Sequence, residues 1–154
     1  MAERPPDHKP VYTIRIAAAL SGVTSSTIRE YEKQGLLKPF RSRQSNHRLF
    51  SYREILWVQK VWRLIHEEGL NVEGIRRLIA VEPCWKVLRC QPEARAACGS
   101  QSWNGTICWN AREERACCRD ASVVCQECEV YLRGAESPLL SVKKPAGAGE
   151  TVNR

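Results

Sequence analysis

Residues 21–35 have the sequence SGVTSSTIREYEKQG, in which a short turn precedes a run that favours a helix. Thr24 or Ser25 can accept hydrogen bonds from the free backbone N–H groups at the start of that helix. Gly35 suits the left-handed position after its last turn. Residues 14–20 form a preceding short apolar helix, so a glycine-containing turn joins two short helices. This arrangement is typical of a helix-turn-helix.

The residues after the second helix predict a hairpin with a basic tip. Pro39 favours extended backbone in the residue before it, and residues 41–48, RSRQSNHR, are polar, turn-prone and free of acidic side chains. Apolar residues return at 49–50. We interpret this hairpin as a wing beside the helix-turn-helix.

Two further helices complete the expected domain. Ser51 and Glu54 have the spacing of a capping box, which opens a long helix over residues 52–68. Apolar residues recur on one face of this helix at helical spacing. Asn71 caps a last short helix, and the domain is expected to cover residues 11–82.

The distribution of charge favours a polyanion as the partner of this domain. Residues 1–80 hold 14 Lys and Arg against 8 Asp and Glu, a net charge of +6, whereas residues 81–154 carry only +1. A basic half beside a nearly neutral half indicates binding to nucleic acid. The simpler alternative is that the charge only aids solubility.

A helix that enters the major groove needs hydrogen-bonding side chains near its N-terminus and cations that meet phosphate. The candidate DNA contacts are Ser25, Ser26 and Arg29 on the second helix and Lys38, Arg41, Arg43 and Arg48 on the wing. For the serines, the alternative is that they only cap the helix.

Several motifs resemble the N-terminal domain of the MerR superfamily of transcription regulators: VYTI at 11–14, GV at 22–23, TIREYE at 27–32, GLLKP at 35–39 and RLFS at 48–51. The run EEGLNVEGI at 67–75 resembles the heat-shock-repressor branch. This resemblance implies a winged helix-turn-helix in which Arg29, Tyr31 and Arg48 contact DNA phosphates. Glu30 departs from the family pattern, which often has a second aromatic or basic residue there.

All eight cysteines follow this domain, at Cys84, Cys90, Cys98, Cys108, Cys117, Cys118, Cys125 and Cys128. Disulfides are disfavoured in a reducing compartment, where clustered cysteines more often bind metal. Without a histidine among them, the donors are soft thiolates that suit an iron–sulfur cluster or zinc. All eight are therefore candidate metal ligands, and reversible disulfides remain an alternative.

Two Cys-Trp steps, at 84–85 and 108–109, and the closing CEVY at 128–131 resemble small two-CW cysteine modules of bacterial signalling proteins. Such a segment has too little apolar content to bury a large core, and a metal would staple it. The nearby tryptophans are expected to shield a cluster or to pack in the core.

The expected architecture is mostly α-helical. It comprises a flexible arm at 1–10, the winged helix-turn-helix at 11–82, a small metal-stapled cysteine-rich domain at 83–133 and a disordered tail at 134–154. No run of 18 apolar residues and no apolar run of signal-peptide type occur, so we expect no membrane association and a cytoplasmic location.

These patterns predict a transcription regulator that binds double-stranded promoter DNA and is controlled by metal or redox chemistry at the cysteines. A homodimer is expected because such readers bind paired half-sites, although prolines and glycines interrupt any heptad after residue 80. RNA polymerase is a further expected partner. The dimer interface could be formed by the cysteine-rich domain or by the region of Trp57 and Trp62, although these two tryptophans are expected in the core.

Two alternatives are a DNA-binding protein with purely structural zinc, and an iron–sulfur electron-transfer or metalloenzyme subunit. No constellation of His, Asp and Glu lies among the cysteines, so no enzyme is expected.

Overall fold

The structure, a computed structural model, describes residues 6–81, 83–96, 98, 107–110 and 124–134. The first half runs β1 Tyr12–Thr13, α1 Ile14–Ser21, α2 Ser25–Lys33, β2 Phe40–Arg41, β3 Arg48–Phe50, α3 Tyr52–His66 and α4 Val72–Ile79. The cysteine-rich part contains α5 Cys84–Val87, α6 Pro92–Ala96 and α7 Glu129–Gly134. Among the residues that the structure describes, two short 3-10 turns precede α7, at Cys108–Asn110 and Cys125–Glu127.

The predicted helix-turn-helix is confirmed as α1 and α2. The Oγ1 atom of Thr24 accepts a hydrogen bond from the backbone N–H of Thr27 at 3.2 Å, so Thr24 is the cap of α2. Gly22 ends α1 with φ +72°, and its N–H donates to the carbonyl of Ala18 at 3.0 Å. A glycine is favoured here because side-chain-bearing residues rarely adopt this left-handed backbone.

The predicted wing is confirmed as the antiparallel pair β2 and β3, in which Phe40 lies opposite Leu49. Strand β1 was not expected, and it pairs with the other edge of β3 to give the order β1-β3-β2. This strand has only two residues, so it carries no alternation from which a strand could be predicted.

The capping box at the start of α3 is confirmed. The N–H of Ser51 donates to Oε2 of Glu54 at 2.7 Å, and the N–H of Glu54 donates to Oγ of Ser51 at 3.2 Å. Trp57 is buried as expected, but Trp62 is 38% exposed and lies against the His66 ring with centroids 4.7 Å apart. The expectation of a buried Trp62 is therefore wrong, because its position on α3 faces outward.

One hydrophobic core includes side chains from both halves of the described chain. Ile28, Leu36 and Val58 from the helix-turn-helix half belong to the same cluster as Trp109 and Tyr131. Burial of a large apolar side chain contributes roughly 1.5–3 kcal/mol. The buried part of the cysteine-rich segment therefore stabilises the first domain by packing on it.

The structure describes residues 6–10 of the predicted arm. Within the predicted flexible arm, the carbonyl of Asp7 accepts a hydrogen bond from the N–H of Arg53 at 3.0 Å, which attaches this part of the arm to the start of α3. The predicted tail after Gly134 lies outside the described residues. Within the described part of the chain, no helix combines the length and apolar character that a membrane span needs.

Candidate nucleic-acid interface

The N-terminal half of α2 presents the predicted polar side chains. Ser26 and Arg29 are exposed and Ser25 is half-buried. The hydroxyl of Ser26 lies 3.0 Å from that of Thr24, which is the residue that caps the helix. Since Thr24 provides the cap, Ser25 and Ser26 are not needed for it, and their contacts to DNA bases stay a prediction.

Tyr31 lies on the inner face of α2, with only 4% of its surface exposed. Its hydroxyl is buried, has no hydrogen-bond partner among the described residues, and burial raises its pKa. A buried hydroxyl without a partner is costly. The predicted phosphate contact of Tyr31 therefore requires its side chain to turn outward.

Two wing cations are hydrogen-bonded to α2 through Glu32, a role that no motif in the sequence predicts. Nη2 of Arg41 donates to Oε1 of Glu32 at 3.0 Å, and Nε of Arg48 donates to Oε2. Pairs that are this exposed contribute little to stability, about 0–1 kcal/mol. Their effect is to fix the wing next to α2. Arg43 and Lys38 are exposed.

An open cleft of about 340 Å³ lies between α2 and the wing. Four cations and one carboxylate line it together with Leu37 and one residue of the cysteine-rich segment: Arg29, Lys33, Lys38, Arg48, Glu32 and Asn110. Three of the cations, at 29, 38 and 48, are predicted DNA contacts. The structure thus brings one predicted helix contact and two predicted wing contacts to one cationic cleft. The other predicted contacts do not line it: Ser25, Ser26, Tyr31, Arg41 and Arg43.

Residues 34–38, which we call the helix–wing junction, connect α2 to β2. Two side chains of the first domain hold this junction. The guanidinium of Arg76 donates through Nε to the carbonyl of Gln34 at 2.8 Å, and Nε1 of Trp57 donates to the carbonyl of Leu36 at 2.9 Å. The junction is thus anchored from α3 and α4.

Four more bonds come from the cysteine-rich segment. Nε1 of Trp109 and Nδ2 of Asn110 donate to the carbonyl of Gly35, at 3.0 and 3.1 Å. The N–H of Lys38 donates to the hydroxyl of Tyr131 at 3.0 Å, and Nε2 of Gln126 donates to the carbonyl of Lys38 at 2.5 Å. The segment therefore holds the backbone at both ends of the junction.

Gly35 permits this contact for two reasons. Its φ of +75° is left-handed, and a Cβ atom at this position would lie 2.8 Å from Cγ and 2.9 Å from Oδ1 of Asn110. Real Cβ atoms essentially never approach another atom so closely. The glycine predicted to end the helix is thus also the site at which the cysteine-rich segment packs.

Glu54 connects the long helix to the same segment. Besides its role in the capping box, its Oε1 accepts from the hydroxyl of Tyr131 at 2.7 Å and from Nε2 of Gln126 at 3.2 Å. Burial raises the pKa of Glu54, and these hydrogen bonds oppose that rise. Burial, together with the charge of Glu54, holds the pKa of Tyr131 well above its usual value.

Two of the side chains that hold the junction are direct neighbours of cysteines. Trp109 follows Cys108, and Gln126 lies inside the Cys125-x2-Cys128 pair. Cys125 is buried, whereas Cys108 and Cys128 are half-buried. The pair itself forms a tight turn, because the N–H of Cys128 donates to the carbonyl of Cys125 at 3.0 Å.

The eightfold thiol set is not assembled by the part of the chain that the structure describes. Cys84 is buried, Cys98 is half-buried and Cys90 is exposed. Among the described ranges, no three His, Cys, Asp or Glu side chains are grouped closely enough to hold a metal ion. Cys117 and Cys118 lie outside those ranges. Ligation by the cysteines stays a prediction.

Comparison with known proteins supports the assignment of the first domain. Residues 12–82 match the family described as MerR HTH family regulatory protein. A Streptomyces coelicolor protein, assigned as the heat shock protein HspR, is 41% identical over 73 residues, which cover 47% of this chain and 48% of that protein. The HTH-type transcriptional repressor CarA of Myxococcus xanthus is 34% identical over 128 residues, 82% of this chain and 42% of CarA. The HTH-type regulator GlnR of Bacillus anthracis is 30% identical over 73 residues, 47% of this chain and 55% of GlnR.

This chain spans about half the length of these relatives. The family match begins at Tyr12 in β1, includes α1, α2, the wing and α3, and ends just beyond α4. Residues 12–82 form a helix-turn-helix domain of the MerR family.

Proposed function

We propose that this chain is a transcription regulator that binds double-stranded promoter DNA, and that the state of its cysteine-rich segment controls this binding. The MerR-family domain supports the first part of the proposal. So do the regulators among its relatives, one of them a transcriptional repressor. The cationic surface of α2 and the wing provides the charge that attraction to phosphate requires.

The observation that carries the second part is the contact at the helix–wing junction. Trp109, Asn110, Gln126 and Tyr131 make four hydrogen bonds to the backbone of Gly35 and Lys38. In a winged helix-turn-helix, the helix enters the major groove and the wing meets the adjacent backbone. The angle between them therefore affects how many contacts form at once. A segment that fixes this angle can change DNA affinity.

Metal binding or oxidation at the thiols can affect the hydrogen bonds at the helix–wing junction, because the cysteines lie next to the side chains that make them. Metal ligation, or oxidation to a disulfide, would restrain Cys108, Cys125 and Cys128, and so reposition Trp109 and Gln126 beside them. Soft thiolates suit zinc or an iron–sulfur cluster, and a thiol pair suits a redox switch. We propose that zinc, an iron–sulfur cluster or a thiol pair controls DNA binding by switching the helix–wing junction between two arrangements.

A homodimer at paired half-sites and contact with RNA polymerase are further parts of this proposal. Purely structural zinc is the second candidate function. It predicts that a mild oxidant leaves the junction and the DNA affinity unchanged, and that only removal of the zinc releases the segment.

The test uses the full chain, prepared without oxygen and analysed for zinc, iron and sulfide. Duplexes selected from a random pool are titrated with the protein at several salt concentrations, before and after treatment with a chelator or an oxidant. We expect salt-dependent binding of selected duplexes, weakened by Arg29→Ala but not by Lys86→Ala, a change at an exposed cation of α5. Failure to select any duplex, or loss of binding in both variants alike, would contradict DNA recognition by α2. Equal affinity before and after the oxidant, with a loss only when the chelator removes bound zinc, would favour structural zinc.

A further inference from the structure

We propose that the cysteine-rich segment is itself part of the DNA-contact surface, through Asn110, which closes the cationic cleft and helps it to take a backbone phosphate of DNA. This inference rests on the proposed DNA binding and adds a contact that lies outside the MerR-family domain. It makes the cysteine-rich segment a direct participant in binding as well as a support for the junction.

The lining of the cleft has the chemistry of a phosphate site. Arg29, Lys33 and Lys38 are exposed, and Arg48 is half-buried. The one carboxylate, Glu32, already accepts hydrogen bonds from the wing arginines, so its charge is balanced locally. A guanidinium carries five N–H donors, of which Glu32 engages Nε of Arg48. The cleft therefore retains an excess of positive charge for an anion.

Asn110 is held at the edge of this cleft in a defined position. Its Nδ2 donates to the carbonyl of Gly35 at 3.1 Å, and its side chain lies against the Cα atom of that glycine, where no Cβ intervenes. The amide group has two N–H donors, and the bond to Gly35 uses one. Asn110 is exposed, so its amide can meet a ligand in the cleft. Asn side chains are among those that contact DNA phosphates.

The position of the cleft favours a phosphate over a base edge. Recognition helices contact base edges chiefly with residues near their N-terminus, which here are Ser25 and Ser26. The cleft instead lies beside Arg29, at the middle of α2, and Lys33, at its C-terminal end next to the wing. There a cationic surface meets the sugar–phosphate backbone. The contact is thus expected to add affinity without adding sequence preference.

The test compares charge changes at Asn110 with the same changes at Gln91, an exposed residue just before α6 that does not line the cleft. Asn110→Ala removes the amide and serves as the uncharged baseline, while Asn110→Lys and Asn110→Asp then add one charge of either sign. Affinity for a selected duplex is measured against salt concentration, and thermal midpoints show that each variant folds.

Relative to the alanine baseline, Asn110→Lys should steepen the dependence of log affinity on log salt by up to about 0.9, the value for one phosphate. Asn110→Asp should weaken binding about tenfold at low salt and leave the preference among duplexes unchanged. If the Lys and Asp substitutions at Asn110 alter DNA affinity no more than the same substitutions at Gln91, Asn110 does not face a phosphate. If the unmodified chain still binds DNA in that case, only this inference is wrong. If the unmodified chain binds no duplex, the proposed function fails with it. Should Asn110→Lys not fold, the salt dependence of Asn110→Asp relative to Asn110→Ala decides alone, because both variants lack the amide that donates to Gly35.

Discussion

The two halves of this chain differ in how their structure is encoded. In the helix-turn-helix half, each helix begins at a local cap such as Thr24, Ser51 or Asn71, each bonded to a residue three positions later. In the cysteine-rich half, the described contacts that matter most link residues 72 to 93 positions apart. One half is defined by neighbours in sequence, and the other by the surface on which it packs.

Among the variants that test the contact between the two halves, Trp109→Ala should have the largest effect on stability. Trp109 is 4% exposed, packs edge-on against Tyr131 and belongs to the core of the first domain. Its loss should reduce the free energy of unfolding by about 3–5 kcal/mol, the usual cost of truncating a buried aromatic residue.

Denaturant unfolding, followed by helical circular dichroism, measures this change. The matched control is Trp85→Ala, a half-buried residue of α5 that stacks with Arg95 and should cost clearly less. Equal, small losses in both variants would mean that the cysteine-rich segment packs separately from the first domain.

Gly35→Ala should cause the next largest loss of stability. Comparison with Gly22→Ala separates the cost of the left-handed backbone from the cost of the contact with Asn110. Both glycines have left-handed backbones, with φ of +75° and +72°. A side chain in that conformation costs about 1–2 kcal/mol. Only at Gly35 would the new Cβ meet Asn110, whereas nothing lies within 4 Å of it at Gly22.

We therefore expect Gly35→Ala to lower the free energy of unfolding by about 0.5–1.5 kcal/mol more than Gly22→Ala, because the exposed Asn110 side chain must turn away and lose its hydrogen bond to Gly35. Thermal or denaturant unfolding of the two variants gives the difference directly. Equal effects would show that Asn110 does not pack on the junction.

Tyr131→Phe tests the hydroxyl that links both halves. This group accepts from the N–H of Lys38 and donates to Glu54, both inside the protein. Its removal leaves a buried carboxylate oxygen with one partner fewer, which should cost about 1–3 kcal/mol. Urea unfolding measures this loss against that of Tyr12→Phe, a half-buried tyrosine of β1. Equal losses in the two variants would mean that the Tyr131 hydroxyl is not engaged.

The smallest expected effect is a difference in pH dependence between the unmodified chain and Glu54→Gln. Burial raises the folded-state pKa of Glu54 above 4.5, so the folded chain holds this proton more tightly than the unfolded one. The stabilisation from protonation is complete below the unfolded pKa and is lost as the pH rises through the folded pKa.

The unmodified chain should therefore gain stability relative to Glu54→Gln when the pH falls from about 7 towards 4.5. Other carboxylates titrate in both proteins and cancel in the difference. Denaturant midpoints at each pH provide the measurement. A constant difference between the two proteins would show that the pKa of Glu54 is not raised.

Much of the first domain was predictable because caps, glycines and helical periodicity act over three or four residues. The wing also followed from the basic, turn-prone run at 41–48. Strand β1 and the exposure of Trp62 were missed, since both depend on what lies beside them in space rather than in sequence.

The candidate site was predictable only in part for the same reason. The wing and helix cations were identified from charge, but Glu32 carried no signal that it would accept bonds from Arg41 and Arg48. Asn110 and Gln126 are single polar residues in a run without periodicity, and their contacts to Gly35 and Lys38 arise only in the folded chain. Tyr131 belongs to the closing CEVY motif, but nothing in that motif predicts its hydrogen bond to Glu54.

The central claim is that the thiol-bearing segment holds the helix–wing junction, and amide hydrogen exchange at Lys38 tests it most directly. In the chain prepared without oxygen, the N–H of Lys38 should be protected by the Tyr131 hydroxyl. Alkylation or oxidation of the thiols should speed its exchange by at least about tenfold, which corresponds to roughly 1.4 kcal/mol of lost protection. Equal exchange of Lys38 in the treated and untreated chains, at the rate of an exposed loop, would contradict the account.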